Sequence, residues 1–158
     1  MASPRLSLAK QIKVVTIQES TSPYGQMDQP RLLVDFWHRE IALAAWFDPE
    51  KEHLVVVCLN AKCRFKAYNL VSVGLANTVL IHAREVFRPA IALAASSIVL
   101  IHNHPSGDPA PSKNDIDASK EIKSAGKILK IECLDSITIG KPTPEYPEGY
   151  ASLRQMGY

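Results

Sequence analysis

The apolar residues of this chain fall into patterns of two kinds. Residues 54–59 form an unbroken apolar run with three consecutive valines, and 97–101 form a second run of the same type, as expected of strands buried on both faces. After the turn Asn60-Ala61-Lys62, an extended segment at 64–70 predicts a hairpin. From Arg31 onward, Leu32, Leu33, Phe36, Trp37, Ile41, Ala44 and Ala45 recur every three to four positions, the stripe of an amphipathic helix that Asp48-Pro49 ends. An alanine-rich stretch at 84–96 predicts a second helix, in which Pro89 is tolerable only near the start. A third helix is expected from a Ser112 or Asn114 cap to about Lys123, stopped by Gly126. Residues 12–17, 79–81, 128–134 and 137–139 read as further strands. Residues 19–30 and the Pro- and Gly-rich tail from Lys141 read as irregular structure, with one final turn near Leu153. No internal repeat or low-complexity tract is present.

Composition narrows the class. A chain of 158 residues, 46% hydrophobic and 22% charged, has the make-up of one globular domain. At that size roughly 70% of the unfolded chain's surface is buried on folding, so a metal is expected to serve function rather than to hold the fold together. Cys58, Cys63 and Cys133 are odd in number and lack CxxC spacing, which reads as reduced thiols in a cytoplasmic protein. No apolar run reaches the length of a membrane span, and no secretory signal is evident at the start of the sequence. The net charge of +2 is too small for the footprint of a dedicated nucleic-acid binder. Trp37, Trp46 and Tyr68 are expected to be used in packing.

Chemistry concentrates where the run at 97–101 ends in His102-Asn103-His104-Pro105-Ser106-Gly107. Residues two apart at a strand end point to the same side, so His102 and His104 can offer two nitrogens to one metal ion. Asp115 follows a loop bent by Pro105, Gly107, Pro109 and Pro111, and its carboxylate can swing back as a third ligand. Two imidazoles and one carboxylate leave a fourth tetrahedral position open to water, the arrangement of a catalytic rather than a structural zinc. A His-x-His pair alone is a common surface feature; Asp115 at a workable return distance is what makes it a metal candidate. Asn103 points the other way and is expected to brace the loop, while Ser106 and Gly107 have an ordinary use as turn formers.

The spacing His102-x-His104, seven residues, Ser112, two residues, Asp115 resembles the JAMM metalloprotease signature. The text around it, Ala83-Arg84-Glu85-Val86-Phe87 followed by an Ala-rich helix and then His102 to Asp108, is similar to the RadC-like branch of the JAB/MPN superfamily. Tyr150-Ala151-Ser152 and Gly157 also resemble that branch's ending, and the likeness covers about two-thirds of the chain. It implies an α/β fold of the α+β kind, a curved mixed sheet flanked by helices in a single domain. Residues 1–30 would be an N-terminal strand and loop segment and 31–158 the catalytic domain. It further implies one zinc per chain held by His102, His104 and Asp115, and hydrolysis of an amide or isopeptide bond in a protein or peptide substrate.

The family also uses an upstream Glu as the base that takes a proton from the attacking water, and Glu52 stands in the matching place at a strand start. Ser112 would donate to the oxyanion, in addition to capping the helix that presents Asp115. Glu50 is expected to belong to the turn after Asp48-Pro49, and Glu85 to favour the positive start of the following helix. Ser136 departs from the pattern, since RadC-like proteins usually have His there; the family's helix-hairpin-helix region has no counterpart in residues 1–51. Two alternatives stand beside the hydrolase: a nonenzymatic MPN-like binding module, against which the intact motif argues, and a DNA-repair accessory or nuclease. For the latter, Lys113, Lys120, Lys123 and Lys127 would form the phosphate-binding face, although a solvated helix face is the commoner use of such a run.

Overall fold

The computed structural model describes residues 24–74 and 81–158. The strand expected at 12–17 and most of the one expected at 79–81 lie outside those residues. Five strands, β1 (Glu52–Leu59), β2 (Phe65–Gly74), β3 (Ser97–Asn103), β4 (Glu132–Ile139) and β5 (Tyr150–Ser152), make one sheet in the order β2-β1-β3-β4-β5. Only β3 and β4 run parallel, and α3 (Lys113–Leu129) makes the crossover that such a pair requires. With α1 (Pro30–Phe36) and α2 (Ala83–Ala92), three helices flank a mixed sheet in one compact α+β domain.

The unbroken apolar runs are explained by cores on both faces of the sheet. In β1, Val55, Val57 and Leu59 pack with Leu33, Phe36 and Trp37 on the α1 side; Leu54, Val56 and Cys58 pack with Val86, Phe87 and Ile122 on the α2 and α3 side. β3 divides in the same way, Val99 and Ile101 to one face, Ile98 and Leu100 to the other. Each fully buried aliphatic side chain contributes about 1.5–3 kcal/mol of transfer free energy, which outweighs the weak local preferences of so short a segment.

Several expectations are corrected. The first helix does not run on to Ala45: after Phe36 the chain widens into a π turn, Trp37–Ile41, closed by the Ala42 N–H donating to the Trp37 carbonyl at 2.9 Å. The wider turn lets Phe36, Trp37 and Ile41 all reach the core, where none is more than 1% exposed. Trp46, beyond it, is 42% exposed rather than packed in the core. Pro89 lies in the second turn of α2 rather than near its start, so the Glu85 carbonyl on the first turn lacks its usual helical donor.

Gly126 does not stop α3. A Cβ there would collide with the Ile131 carbonyl oxygen and crowd the Phe87 ring, so the glycine permits close packing inside a longer helix. The helix ends instead at Lys130 in a left-handed conformation. Residues 128–130 are consequently not strand, and β4 is one continuous strand where two were expected. β5 was not anticipated: three residues on the sheet edge carry too little alternation to be recognised. The turn expected near Leu153 follows it. No helix among the described residues is long and apolar enough to cross a membrane.

Candidate metal centre

The sheet places the motif by parity. Leu54 pairs with His102 across β1 and β3, so His102 continues the Ile98, Leu100 face, and Glu52, two residues before Leu54, shares it. Continuing that antiparallel register sets Glu52 level with His104. All three side chains thus point toward the side on which α3 crosses. That helix begins with a capping box: the Ser112 hydroxyl accepts from the Asp115 N–H at 3.1 Å, and Asp115 Oδ2 accepts from the Ser112 N–H at 2.7 Å. The Ser112 hydroxyl also donates to Oδ2, at 2.6 Å.

His102, His104 and Asp115 converge. His102 Nε2 lies 3.2 Å from His104 Nε2 and 3.4 Å from Asp115 Oδ1, and His104 Nε2 lies 3.4 Å from Asp115 Oδ2. The potential ligand atoms of the three residues all fall within 4.8 Å of one another, so the group can hold a metal ion. Its chemistry suits one: two imidazole nitrogens and a carboxylate oxygen are the donor types of zinc sites. Burial pushes His102 down to about 4 against the pull of the Asp115 charge, leaving its ring neutral with a nitrogen lone pair to offer. For His104, burial lowers the pKa, but the bond to Asp115, the Asp108 carbonyl and the nearby carboxylate charges outweigh it and raise the net value. Burial likewise raises Asp115, yet the two histidines and Ser112 bring it well below the usual carboxylate range.

The loop between the histidines and Asp115 is anchored from both ends. His104 Nδ1 donates to the Asp108 carbonyl at 2.8 Å, which fixes the tautomer and turns Nε2 inward. The His104 N–H donates to the Ile139 carbonyl at 2.9 Å and the Lys141 N–H to the Gly107 carbonyl at 2.6 Å. Between these sits Gly140, where a Cβ would come within 2.6 Å of both the Gly107 oxygen and the Pro109 nitrogen. Thr138, directly beside His102 on β4, brings its hydroxyl to 3.5 Å from His102 Nε2.

Glu52 is 8% exposed at the first position of β1; burial and the Asp115 charge raise its pKa, opposed by His104. Glu50 is exposed in the preceding turn, with its N–H donating to Asp48 Oδ1, and Glu85 pairs with Arg88 at 2.9 Å in the first turn of α2. Neither joins the group. Ser136 is buried in β4, two positions from Thr138 on the same strand. Two of the four lysines of the basic face are engaged by Tyr158: Lys123 Nζ donates to its backbone oxygen at 2.7 Å, and Lys120 Nζ lies 5.6 Å from its ring centre.

Sequence reasoning missed the Asp108 carbonyl, Gly140 and Thr138, whose roles arise only when β4 is laid beside β3. It misdirected Asn103, which braces the start of β1 rather than the loop: its Oδ1 accepts from the His53 N–H and its Nδ2 donates to the Lys51 carbonyl, both at 2.9 Å. Its position between the two histidines puts it on the opposite face, as expected; that the start of β1 lies within its reach there has no local signal in the sequence.

Residues 27–158 match the family model of the RadC-like JAB domain. The chain belongs to that family. It is 51% identical over 109 residues to a UPF0758 protein of Caldanaerobacter subterraneus, an alignment spanning 68% of this chain and 44% of the relative. A UPF0758 protein of a Geobacillus strain is 41% identical over 68% of this chain and 45% of its own length, and that of Methanococcoides burtonii 39% identical over 77% and 47%. The chain therefore corresponds to less than half the length of these curated relatives.

Proposed function

We propose that this chain is a zinc-dependent hydrolase of the JAMM type, cleaving an amide or isopeptide bond in a protein or peptide substrate. The catalytic unit is placed within residues 31–158, with His102, His104 and Asp115 holding one zinc ion. The observation that carries the reading is the convergence of two imidazole nitrogens and a carboxylate beside the buried Glu52, from three separate segments of the chain. When bound, zinc supplies Lewis acidity, lowering the pKa of water and polarising a carbonyl oxygen.

The remaining chemistry belongs to the side chains. Glu52 accepts a proton from the attacking water and passes it to the leaving amine. Its raised pKa suits both halves of that task, since a carboxylate nearer neutrality is a stronger base and a better carrier of the proton it has taken. Asp115 stays ionised throughout and balances charge at the centre. The Ser112 N–H alone can keep Asp115 Oδ2 in place, so its hydroxyl is able to turn toward the oxyanion that develops on the substrate.

The test is Glu52→Gln, assayed for zinc content and for hydrolysis of a panel of peptide and isopeptide substrates. Retained stoichiometric zinc with hydrolysis lowered by roughly two to four orders of magnitude is the expected result. Loss of the zinc would make Glu52 a ligand instead of the base. A native chain that holds zinc and cleaves nothing in the panel would favour the MPN-like binding module.

A further inference from the structure

Resting on the proposed role of Glu52, we infer that Asn103 is a positioning residue that sets Glu52 against the group formed by His102, His104 and Asp115. The backbone pairing of β1 with β3 ends at Leu54 and His102, two residues short of Glu52. Beyond that point the Asn103 side chain takes over the work of a neighbouring strand. Like a peptide group, its amide sets a carbonyl oxygen beside an N–H donor, and it spends the oxygen on the His53 N–H and one of its two N–H groups on the Lys51 carbonyl, the backbone groups on either side of Glu52. The Lys51 carbonyl also accepts from His53 Nδ1 at 2.9 Å, and the fully buried His53 ring is wedged 4.8 Å from the ring of Phe47.

The placement follows from strand parity. Asn103 lies between the two histidines and reaches β1 from the back of the sheet, while His102, His104 and Glu52 occupy the front. Any shift of the start of β1 moves Glu52 relative to the histidines; β2 holds that start on its other edge, with Glu52 opposite Gly74, and on the β3 side the clamp is attached to residues 102–104, the stretch that carries the histidines. Asn103 is itself only 6% exposed, so water does not readily replace its two bonds. Aspartate in its place keeps an acceptor for the His53 N–H but sets an oxygen against the Lys51 carbonyl; alanine offers neither bond.

The experiment is a double-mutant cycle on the full chain. Zinc affinity is measured by competition with a chromophoric chelator for native protein, Asn103→Ala, Glu52→Gln and the pair, and the Glu52 carboxyl carbon is followed by NMR in the metal-free native and Asn103→Ala chains. The expectation is that stoichiometric zinc persists in every variant, that the Glu52→Gln effect on affinity differs between the two backgrounds by about threefold or more, and that the Glu52 resonance moves toward its unfolded-chain position in Asn103→Ala. Additive effects with an unmoved Glu52 resonance would reduce Asn103 to a structural role and overturn the inference. If Asn103→Ala does not fold, Asn103→Asp carries the same cycle, with the Glu52 coupling lost although the His53 amide stays protected from exchange. If the native chain takes up no zinc the functional reading fails, and the Glu52 resonance alone then decides for or against the clamp.

Discussion

Two carboxylates withdrawn from solvent, Asp115 at the start of α3 and Asp135 in β4, are surrounded by opposite kinds of partner. The carboxylate of Asp135 is surrounded by donors: Oδ1 accepts from the Ser136 and Arg154 backbone N–H groups at 2.8 and 3.0 Å, and Oδ2 from the Ser152 hydroxyl at 2.6 Å, with the Arg154 Nε 3.9 Å away. It is fully buried and ties β4 to β5 and the turn that follows. Asp115 faces the donors of Ser112 on one side, but on the other it meets two imidazole nitrogens, one of which belongs to a ring held neutral. A carboxylate closed off by donors is satisfied and belongs to the fold. One that shares its space with nitrogen lone pairs has acceptors gathered around a common point, and such a cluster is completed by a cation.

The comparison can be broken by exchanging the losses. Asp115→Ala should lower zinc affinity by roughly a hundredfold or more, as should His102→Ala and His104→Ala, since each supplies part of a binding free energy that depends on all the ligands together. Tight stoichiometric zinc in any of these variants would reject the ligand set. Asp135→Asn should instead cost about 3 kcal/mol in denaturant unfolding, because an amide sets N–H groups against N–H and hydroxyl donors, and should leave zinc content unchanged. A weak effect on stability would show that the knot at Asp135 does not hold the β5 edge.

A pH measurement sharpens the contrast within the centre. His104 has a raised pKa and His102 a depressed one of about 4, so zinc uptake at mildly acidic pH must expel a proton from His104 and none from His102. Calorimetry in buffers of different ionisation enthalpy should show about one proton released per ion from His104 at pH below its pKa, with ionisation of metal-bound water adding to the release only toward neutral pH and above. Release of a second proton near pH 5, below the range in which metal-bound water ionises, that persists in Glu52→Gln would mean that His102 is charged in the metal-free chain. The smallest effect belongs to the cap: Ser112→Ala should lower stability by about 1 kcal/mol in thermal or denaturant unfolding. A cost well beyond that would give Ser112 contacts other than those of a capping box.

Much of this was legible in the sequence where the cause is local. A strand end aims His102 and His104 the same way whatever surrounds it, and the run at 54–59 fixes the alternation of β1 and hence the face of Glu52, where the strand begins two residues earlier. Ser112 and Asp115 form a cap within four residues. What the sequence did not disclose depends on distant partners. Asn103 meets residues 50 and 52 positions away, and Gly126 reads as a stop until Ile131 and Phe87 are seen to need the room. The π turn escaped for a related reason: a stripe spaced for an ordinary helix does not reveal that three large side chains must be fitted into one core. The family resemblance supplied the role of Glu52, which spacing alone would not have distinguished from Glu50.

The close approach of Gly140 to the loop at 107–109 bears on how fast the centre can be loaded. With that loop pinned to the end of β4, the Asp108 carbonyl already holds the His104 ring in its ligand orientation, and the loop does not have to order before the ion arrives. Loading should then follow second-order kinetics, with a rate proportional to metal concentration and no plateau from a slow conformational step. A side chain at position 140 would convert the same reaction into one gated by the loop, although it adds and removes no ligand.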